Sequence, residues 1–265
     1  MKITAILVVR NEHLYIEKTI KYLIDEGIDI AIIDNESSDG TLEICNKYYP
    51  NHVKIIKNLP YSGDFNLQEH IAAGKALANE IETDWLISQA ADERLCSDIE
   101  GESLSEAIHR IDKAGFDSIN FEEFVFIYEN REIRYENTDF HHLMKRYYFY
   151  EPRKNRLIRA CKKGVDLSDP LVGCHTLDGA TKLYNNLIMR HYIALSYEYA
   201  VNKYTKRQFN ASDLSLGWHG NRTNITIENL DHKNINLLKA DSYTGKLDKS
   251  KPYTKHFWEM FATET

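Results

Sequence analysis

Two acids stand side by side at Asp92 and Glu93, just after the apolar stretch Trp85-Leu86-Ile87 and a pair of alanines. An apolar run that ends in adjacent carboxylates brings hard oxygen donors to one point. Such donors hold a divalent cation or the polar groups of a substrate. The pattern recurs upstream, where ITAILVV ends in Arg10-Asn11-Glu12 and IDIAIID ends in Asp34-Asn35-Glu36. Acids are common in loops after strands, so one such tip is ordinary. Three tips, each carried by its own apolar run, gain meaning only if the runs lie alongside one another. A further carboxylate, Glu123, sits inside DSINFEEFVFIYE, where alternation places it on one face with Ile119, Phe121, Val125 and Ile127. A buried carboxylate is costly without a partner. Glu123 therefore has a partner or a function, or else a β-bulge returns it to solvent.

The elements that must position these groups are legible in the first half. ITAILVV, IDIAIID, HVKIIK and WLIS are short, nearly continuous apolar runs, as expected of strands covered on both faces. Between them, Ile16, Ile20, Leu23 and Ile24 follow helical spacing. A second helix is expected from about Gly40 to Tyr49, capped by Asp39 or Ser38, and a third follows Leu67, Ile71, Ala78 and Ile81. This order implies a parallel sheet flanked by helices, in which ligands bind beyond the carboxyl ends of the strands. The three polar tips would then share one rim. Further on, the spacing predicts a helix over 104–114, a long strand at 117–129, and a short helix followed by strands in FHHLMKRYYFYEPRKNRLIR. The spacing of Ile188, Tyr192, Leu195 and Tyr199 predicts a helix from Ile188 to Tyr204. The segment after Leu230 is mostly polar and is expected to drape over the surface.

Composition narrows the classes. The chain has 265 residues, 43% of them hydrophobic, enough for one substantial core, and a formal net charge of −7, which argues against a nucleic-acid partner. Local basic clusters, Arg153-Lys154-Asn155-Arg156 and Lys162-Lys163, are either solvated faces or phosphate contacts. The four cysteines form no C-x-x-C pair and read as reduced thiols of a cytoplasmic protein. The start imitates a signal peptide for a few residues, but Arg10, Asn11 and Glu12 follow without a cleavage site, so a first strand is expected. No segment approaches the roughly 20 apolar residues of a membrane span.

Motifs narrow them further. The first strand is followed by VVRNEH, without the glycines of a dinucleotide enzyme or a P-loop. A sugar nucleotidyltransferase should carry a glycine-rich basic loop at the same place. IIDNESSDGT begins like the Asp-x-Asp motif of haloacid-dehalogenase-type phosphatases, yet Glu36 takes the second position and the motif follows the second strand.

ILVVRNEHLYIEKTIKYLIDEGIDIAIIDNESSDGTLEI, by contrast, resembles the opening of family-2-type glycosyltransferases of the GT-A fold, with Asn11, Glu12, Asp34, Asn35, Ser37, Asp39, Gly40 and Thr41 at the matching positions. WLISQAADERL is similar to the metal motif of that fold, commonly Asp-Ala-Asp-Glu after an apolar strand. RHYIALSYEYAVNKY and GWHGNR are similar to a subgroup of these enzymes. One departure stands out, because Ala90 replaces the first Asp of the motif.

The resemblance implies an α/β chain with a GT-A nucleotide-diphospho-sugar transferase fold and a mostly parallel central sheet flanked by helices. Residues 1–98 would form the nucleotide-sugar half, 99–230 the acceptor half and 231–265 a C-terminal tail. It implies transfer of a sugar, with inversion, from a nucleotide-sugar donor, a UDP-sugar foremost, to a glycan or lipid-linked acceptor in cytoplasmic assembly of surface polysaccharide, with peripheral membrane contact. Asp92 would be the first ligand of Mn2+ or Mg2+, joined by a C-terminal histidine, His191 or else His175. Asp34 and Asn35 would hydrogen-bond the base or ribose, with Asn11 and Glu12 beside them. Asp64 would contact the nucleotide or cap a helix, and Arg222, with Lys203 and Arg207, would meet the diphosphate. Trp218 would stack on a sugar or lie in the core. Glu123 is the candidate general base and Glu93 the alternative. Ala90 also keeps open a non-catalytic glycan- or nucleotide-binding protein of the same fold.

Overall fold

A computed structural model describes residues 1–152, 157–167, 179–231 and 235–259. His175, Cys174 and the basic cluster 153–156 lie outside the described residues. In chain order the elements are β1 (Ile3–Val9), α1 (Ile16–Asp25), β2 (Asp29–Asp34), α2 (Thr41–Tyr48), β3 (Val53–Asn58), α3 (Leu67–Glu80), β4 (Trp85–Ser88), β5 (Glu93–Cys96), α4 (Leu104–Lys113), β6 (Ser118–Ile127), α5 (Phe140–Leu143), β7 (Arg146–Phe149), β8 (Ile158–Lys162), β9 (Leu183–Ala194), α6 (Tyr197–Lys206), α7 (Ala211–Ser215) and β10 (Leu238–Lys239). They group into two compact units. The first comprises residues 1–61, 67–122 and 153–189; the second comprises 62–66, 123–152 and 190–265.

In the first unit the strands run in the order β3, β2, β1, β4, β8, β6. β1 pairs in parallel with β2 and with β4, and β2 in parallel with β3. Their carboxyl ends therefore share one edge. β8 is antiparallel to β4, and the first residues of β6 are antiparallel to β8. The expected parallel sheet is thus a parallel block of four strands extended by antiparallel ones. Ile6, Ala31, Ile33 and Leu86 pack with Leu77, Ala78 and Ile81. Alternation turns Leu7, Ile30 and Ile32 to the opposite face, where they are also fully buried. Both faces are covered, which is why these strands read as unbroken apolar runs. α4 starts at a capping box in which Ser103 and Glu106 satisfy each other's backbone N–H groups.

In the second unit, residues 124–126 of β6 pair antiparallel with β7, and β7 with β10. Its core is aromatic. Phe124 stacks on Phe149 at 4.8 Å between centroids, and Phe126 on Tyr192 at 5.0 Å. Two expectations need correction here. The segment 188–194 is strand, not helix. Ile188, Tyr192 and Leu195 happen to follow helical spacing, but extended Ser196 is the N-cap, its side chain accepting from the Tyr199 N–H, so the helix begins only at Tyr197. The segment after Leu230 does not lie on the surface throughout: Ile235, Ala240, Leu247, Phe257 and Trp258 are buried. Among the described residues no helix is long and apolar enough to cross a membrane.

Candidate active site

The first unit carries the rim. The loop after β1 and the loop after β2 are tied together by the side chains of the Ser-Ser-Asp-Gly-Thr turn. Asn11 N–H donates to Ser37 Oγ at 3.0 Å, Glu12 N–H to Thr41 Oγ1 at 2.8 Å, and His13 N–H to Asp39 Oδ2 at 3.1 Å. In return Asn11 Oδ1 accepts from Ser38 N–H at 2.8 Å. Asn11 and Glu36 both adopt left-handed backbone, φ 55° and 51°, a conformation Asn tolerates better than most residues. Burial alone would raise the Asp39 carboxyl, but hydrogen bonds from Thr41 and His13 hold it below its ordinary value. Most of the polar residues in this motif are thus occupied in shaping the rim.

That makes a direct prediction. Thr41 is fully buried; its hydroxyl accepts from Glu12 N–H and donates to Asp39 Oδ1 at 2.6 Å. Thr41→Val keeps the shape and strands both partners, so stability should fall by about 1–3 kcal/mol. Urea unfolding reads it, and an unchanged midpoint would show that the clasp carries no weight.

At the tip of β2, Asp34 is 1% exposed. Its Oδ2 accepts from Ser37 N–H at 3.0 Å, while Oδ1 is buried and has no hydrogen-bond partner among the described residues. Asn35 is differently placed. Its Nδ2 donates to the carbonyls of Leu59 and Pro60, both at 3.0 Å, and its Oδ1 lies 3.0 Å from His70 Nε2. The Asn35 amide therefore pins the loop after β3 and the first turns of α3. Nothing in the local sequence around His70 marks this contact 35 residues away. Arg10 donates to the carbonyls of Asn35 and Glu36, and its guanidinium stacks 3.2 Å from the centroid of Tyr61.

At the tip of β4 the chain makes a tight turn. Glu93 N–H donates to Ala90 O at 3.2 Å, Ala90 N–H to Glu93 Oε2 at 3.0 Å, and Gln89 Nε2 to Glu93 O at 2.8 Å. Thr19 on α1 donates to Ala91 O at 2.6 Å. Glu93 Oε1 is bound by Arg159 of β8, and both side chains are at least nine-tenths buried. Asp92 is buried on the same turn, and Gln89 Oε1 is a buried acceptor with no partner among the described residues. The pair Lys162-Lys163 is elsewhere. It lines a depression of about 430 Å³ with Met1, Thr83 and Asp84, at the end of the sheet where β1 and β4 begin, away from the tips. Lys162 pairs there with Asp112 at 2.8 Å.

The second unit carries the remaining candidates. Glu123 is buried on β6, and no bulge returns it to solvent; its Oε1 lies 2.7 Å from His191 Nδ1. His191 sits inside β9, not at a helix start. Asp64 accepts from Asn210 Nδ2 at 3.2 and 3.1 Å. Arg222 packs over Trp258 at 5.2 Å, Arg207 over Phe65 at 4.9 Å, and Lys203 over Tyr199 at 5.6 Å. Trp218 is half-buried.

His219 belongs to the loop GWHGNR. It has left-handed backbone, φ 60°, stacks on Phe209 at 4.7 Å and meets Phe65 edge-on at 5.4 Å. Burial first, then the charge of Arg222, pushes its pKa down from 6.5 to about 4, with Asp213 opposing and Arg207 adding. Because the folded value lies below the unfolded one, the unfolded chain takes the proton more readily. The neutral ring's contribution to stability is complete above pH 6.5 and is lost as pH falls toward 4. His219→Phe should therefore flatten that acid limb of the stability–pH curve in chemical denaturation; an unaltered limb would refute the assignment.

The family model described as Glycosyl transferase family 2 matches residues 4–166, more than half of the chain. Solved structures are similar at low identity. The S. aureus TarS 1-349 crystal structure is 14% identical with a TM-score of 0.45, the match covering 72% of this chain and 60% of that one. The mannosyltransferase PcManGT from Pyrobaculum calidifontis, in complex with GDP-Man and Mn2+, is 10% identical with a TM-score of 0.43, covering 77% and 61%. The chain thus spans less than two thirds of the length of these proteins. No curated protein matches the sequence.

Proposed function

The chain belongs to glycosyl transferase family 2, and on that premise we propose that it transfers a glycosyl group from a nucleotide-sugar donor to a hydroxyl acceptor. The observation that carries the reading lies inside the matched segment: the rim of the parallel strands ends in Asp34, whose buried Oδ1 lacks a partner among the described residues. A buried carboxylate oxygen in this state calls for a donor N–H or O–H, as a nucleobase or ribose supplies. The proposal extends to a UDP-sugar donor, inversion at the sugar carbon, a glycan or lipid-linked acceptor, and cytoplasmic assembly of surface polysaccharide. These finer assignments rest on the resemblance of the motifs.

The chemistry follows from the groups present. As the sugar–diphosphate bond breaks, negative charge grows on the leaving oxygen, while the acceptor hydroxyl forms the new bond and sheds a proton. Among the described residues no three His, Cys, Asp or Glu side chains converge as a ready-made cation site. Mg2+ and Mn2+ do not need one, since one or two carboxylates plus substrate phosphates suffice. The hard oxygens of Asp92 fit that mode, and a bound ion would neutralise the leaving diphosphate. Glu93 belongs to the frame, both its oxygens being engaged by Arg159 and Ala90. The base proposed for the acceptor proton is Glu123.

Thermal-shift measurements with UDP, GDP, CDP and dTDP, each with and without Mn2+, test the reading. UDP with Mn2+ should stabilise most; no shift with any nucleotide would overturn it. Ala90 favours one rival, a non-catalytic binder. Asp92→Ala separates the two: a transferase loses turnover, whereas a binder keeps its glycan affinity.

A further inference from the structure

Arg10 follows the last residue of β1, and that residue, Val9, is in register with Asp34 at the tip of β2. The Arg10 side chain reaches across to the same tip. Its Nη1 donates to the carbonyls of Asn35 and Glu36 at 2.5 and 2.6 Å, the two residues directly after Asp34. Its guanidinium carbon lies 3.2 Å from the centroid of the Tyr61 ring, a separation that only two stacked planes reach.

Tyr61 is itself fixed from the tip of β2. Its N–H donates to Glu36 Oε2 at 3.0 Å, and Asn35 Nδ2 holds the carbonyls of Leu59 and Pro60 just before it. Arg10, Glu36 and Tyr61 thus close a ring of contacts, all within the first unit. A brace alone has no need of a bare charge. Glu36 stands beside Arg10, yet its carboxylate goes to the Tyr61 backbone. Among the described residues Arg10 has no ion pair and no second aromatic neighbour, and it is only half-buried.

A guanidinium held in a fixed plane, with a ring on one side only, offers its other face to a flat π system. Nucleobases stack on arginine planes in this way, and every base has such a face. A saturated sugar ring has none, and a phosphate seeks the N–H edge of the guanidinium instead. We infer that Arg10, held flat against Tyr61, is the platform on which the donor's nucleobase stacks. The inference rests on the glycosyl-transfer reading of this rim. It adds a grip on the face of the base to the edge contact offered by the buried Oδ1 of Asp34.

The test is isothermal titration of the full chain, with Mn2+ present, using UDP, dihydrouridine diphosphate and inorganic diphosphate. Dihydrouridine keeps the N–H and both carbonyls of the base, but its ring is saturated and no longer flat. The wild type should bind UDP about 10-fold more tightly than the dihydro form. Arg10→Lys keeps the charge and loses the plane, so this preference should vanish while inorganic diphosphate binds as before. A merely structural role for Arg10 would weaken both nucleotides alike and leave the preference intact. Equal affinity of the wild type for the two nucleotides, an undiminished preference in Arg10→Lys, or a matching loss of diphosphate affinity would each overturn the inference. If Arg10→Lys fails to fold, the wild-type preference alone decides. A wild type that binds no nucleoside diphosphate loses the transferase reading and the platform together. One that binds UDP without preferring it to the dihydro form loses the platform only.

Discussion

Asp34→Asn is expected to weaken binding of the nucleoside diphosphate by about 10- to 100-fold while the fold survives. The amide can still offer its oxygen to Ser37 N–H, which now lies 3.0 Å from Asp34 Oδ2, so the turn after β2 keeps its clasp. The other position changes from acceptor to donor. A ligand N–H or O–H that met Oδ1 would then face an NH2 group, losing a charge-assisted hydrogen bond and gaining a repulsive contact. Hydrogen bonds to charged groups are worth about 1.5–3 kcal/mol, which sets the range. Isothermal titration with UDP, alongside the thermal midpoint of the free protein, measures both halves. Unchanged affinity would remove Asp34 from the site and with it the main support for the functional reading.

The second large effect concerns stability. Arg159→Met should destabilise the chain by about 3–5 kcal/mol, because it leaves Glu93 as an uncompensated buried charge. For a chain of this size that corresponds to a fall in thermal midpoint of about 10 °C. The double variant Glu93→Gln/Arg159→Met removes the charge as well and should recover much of the loss. The pair matters for the site because Glu93 closes the turn that carries Asp92, through Ala90 N–H and through Gln89 Nε2. Equilibrium urea unfolding of the three proteins decides; a single variant within about 0.5 kcal/mol of wild type would show that the contact is dispensable.

The strands β1 to β4 and the helices between them were readable from local pattern. Strands covered on both faces must be apolar throughout, and Ile6, Leu7, Ile32 and Ile33 obey that. The helix expected over 104–114 is α4, and its capping box, Ser103 with Glu106, is equally local. β9 was misread because Ile188, Tyr192 and Leu195 satisfy a helical period by coincidence, while the pairing that makes the segment a strand comes from residues far away in sequence. The C-terminal segment was misread because its polar average hides Phe257 and Trp258, which pack against Tyr204 at 6.1 and 4.9 Å.

From sequence alone came the α/β class, the order of the first strands, the rim on which Asp34 and Asp92 stand, and the resemblance of the opening motifs. All of these follow from short-range periodicity and from turn chemistry, which neighbouring residues settle among themselves. The tertiary structure alone decided which polar groups are committed and which are open. Asn35 is held by His70, Glu93 by Arg159 and Glu123 by His191. Hydrogen-bond partners are a matter of distance in space, and only the packing of distant segments brings these pairs together.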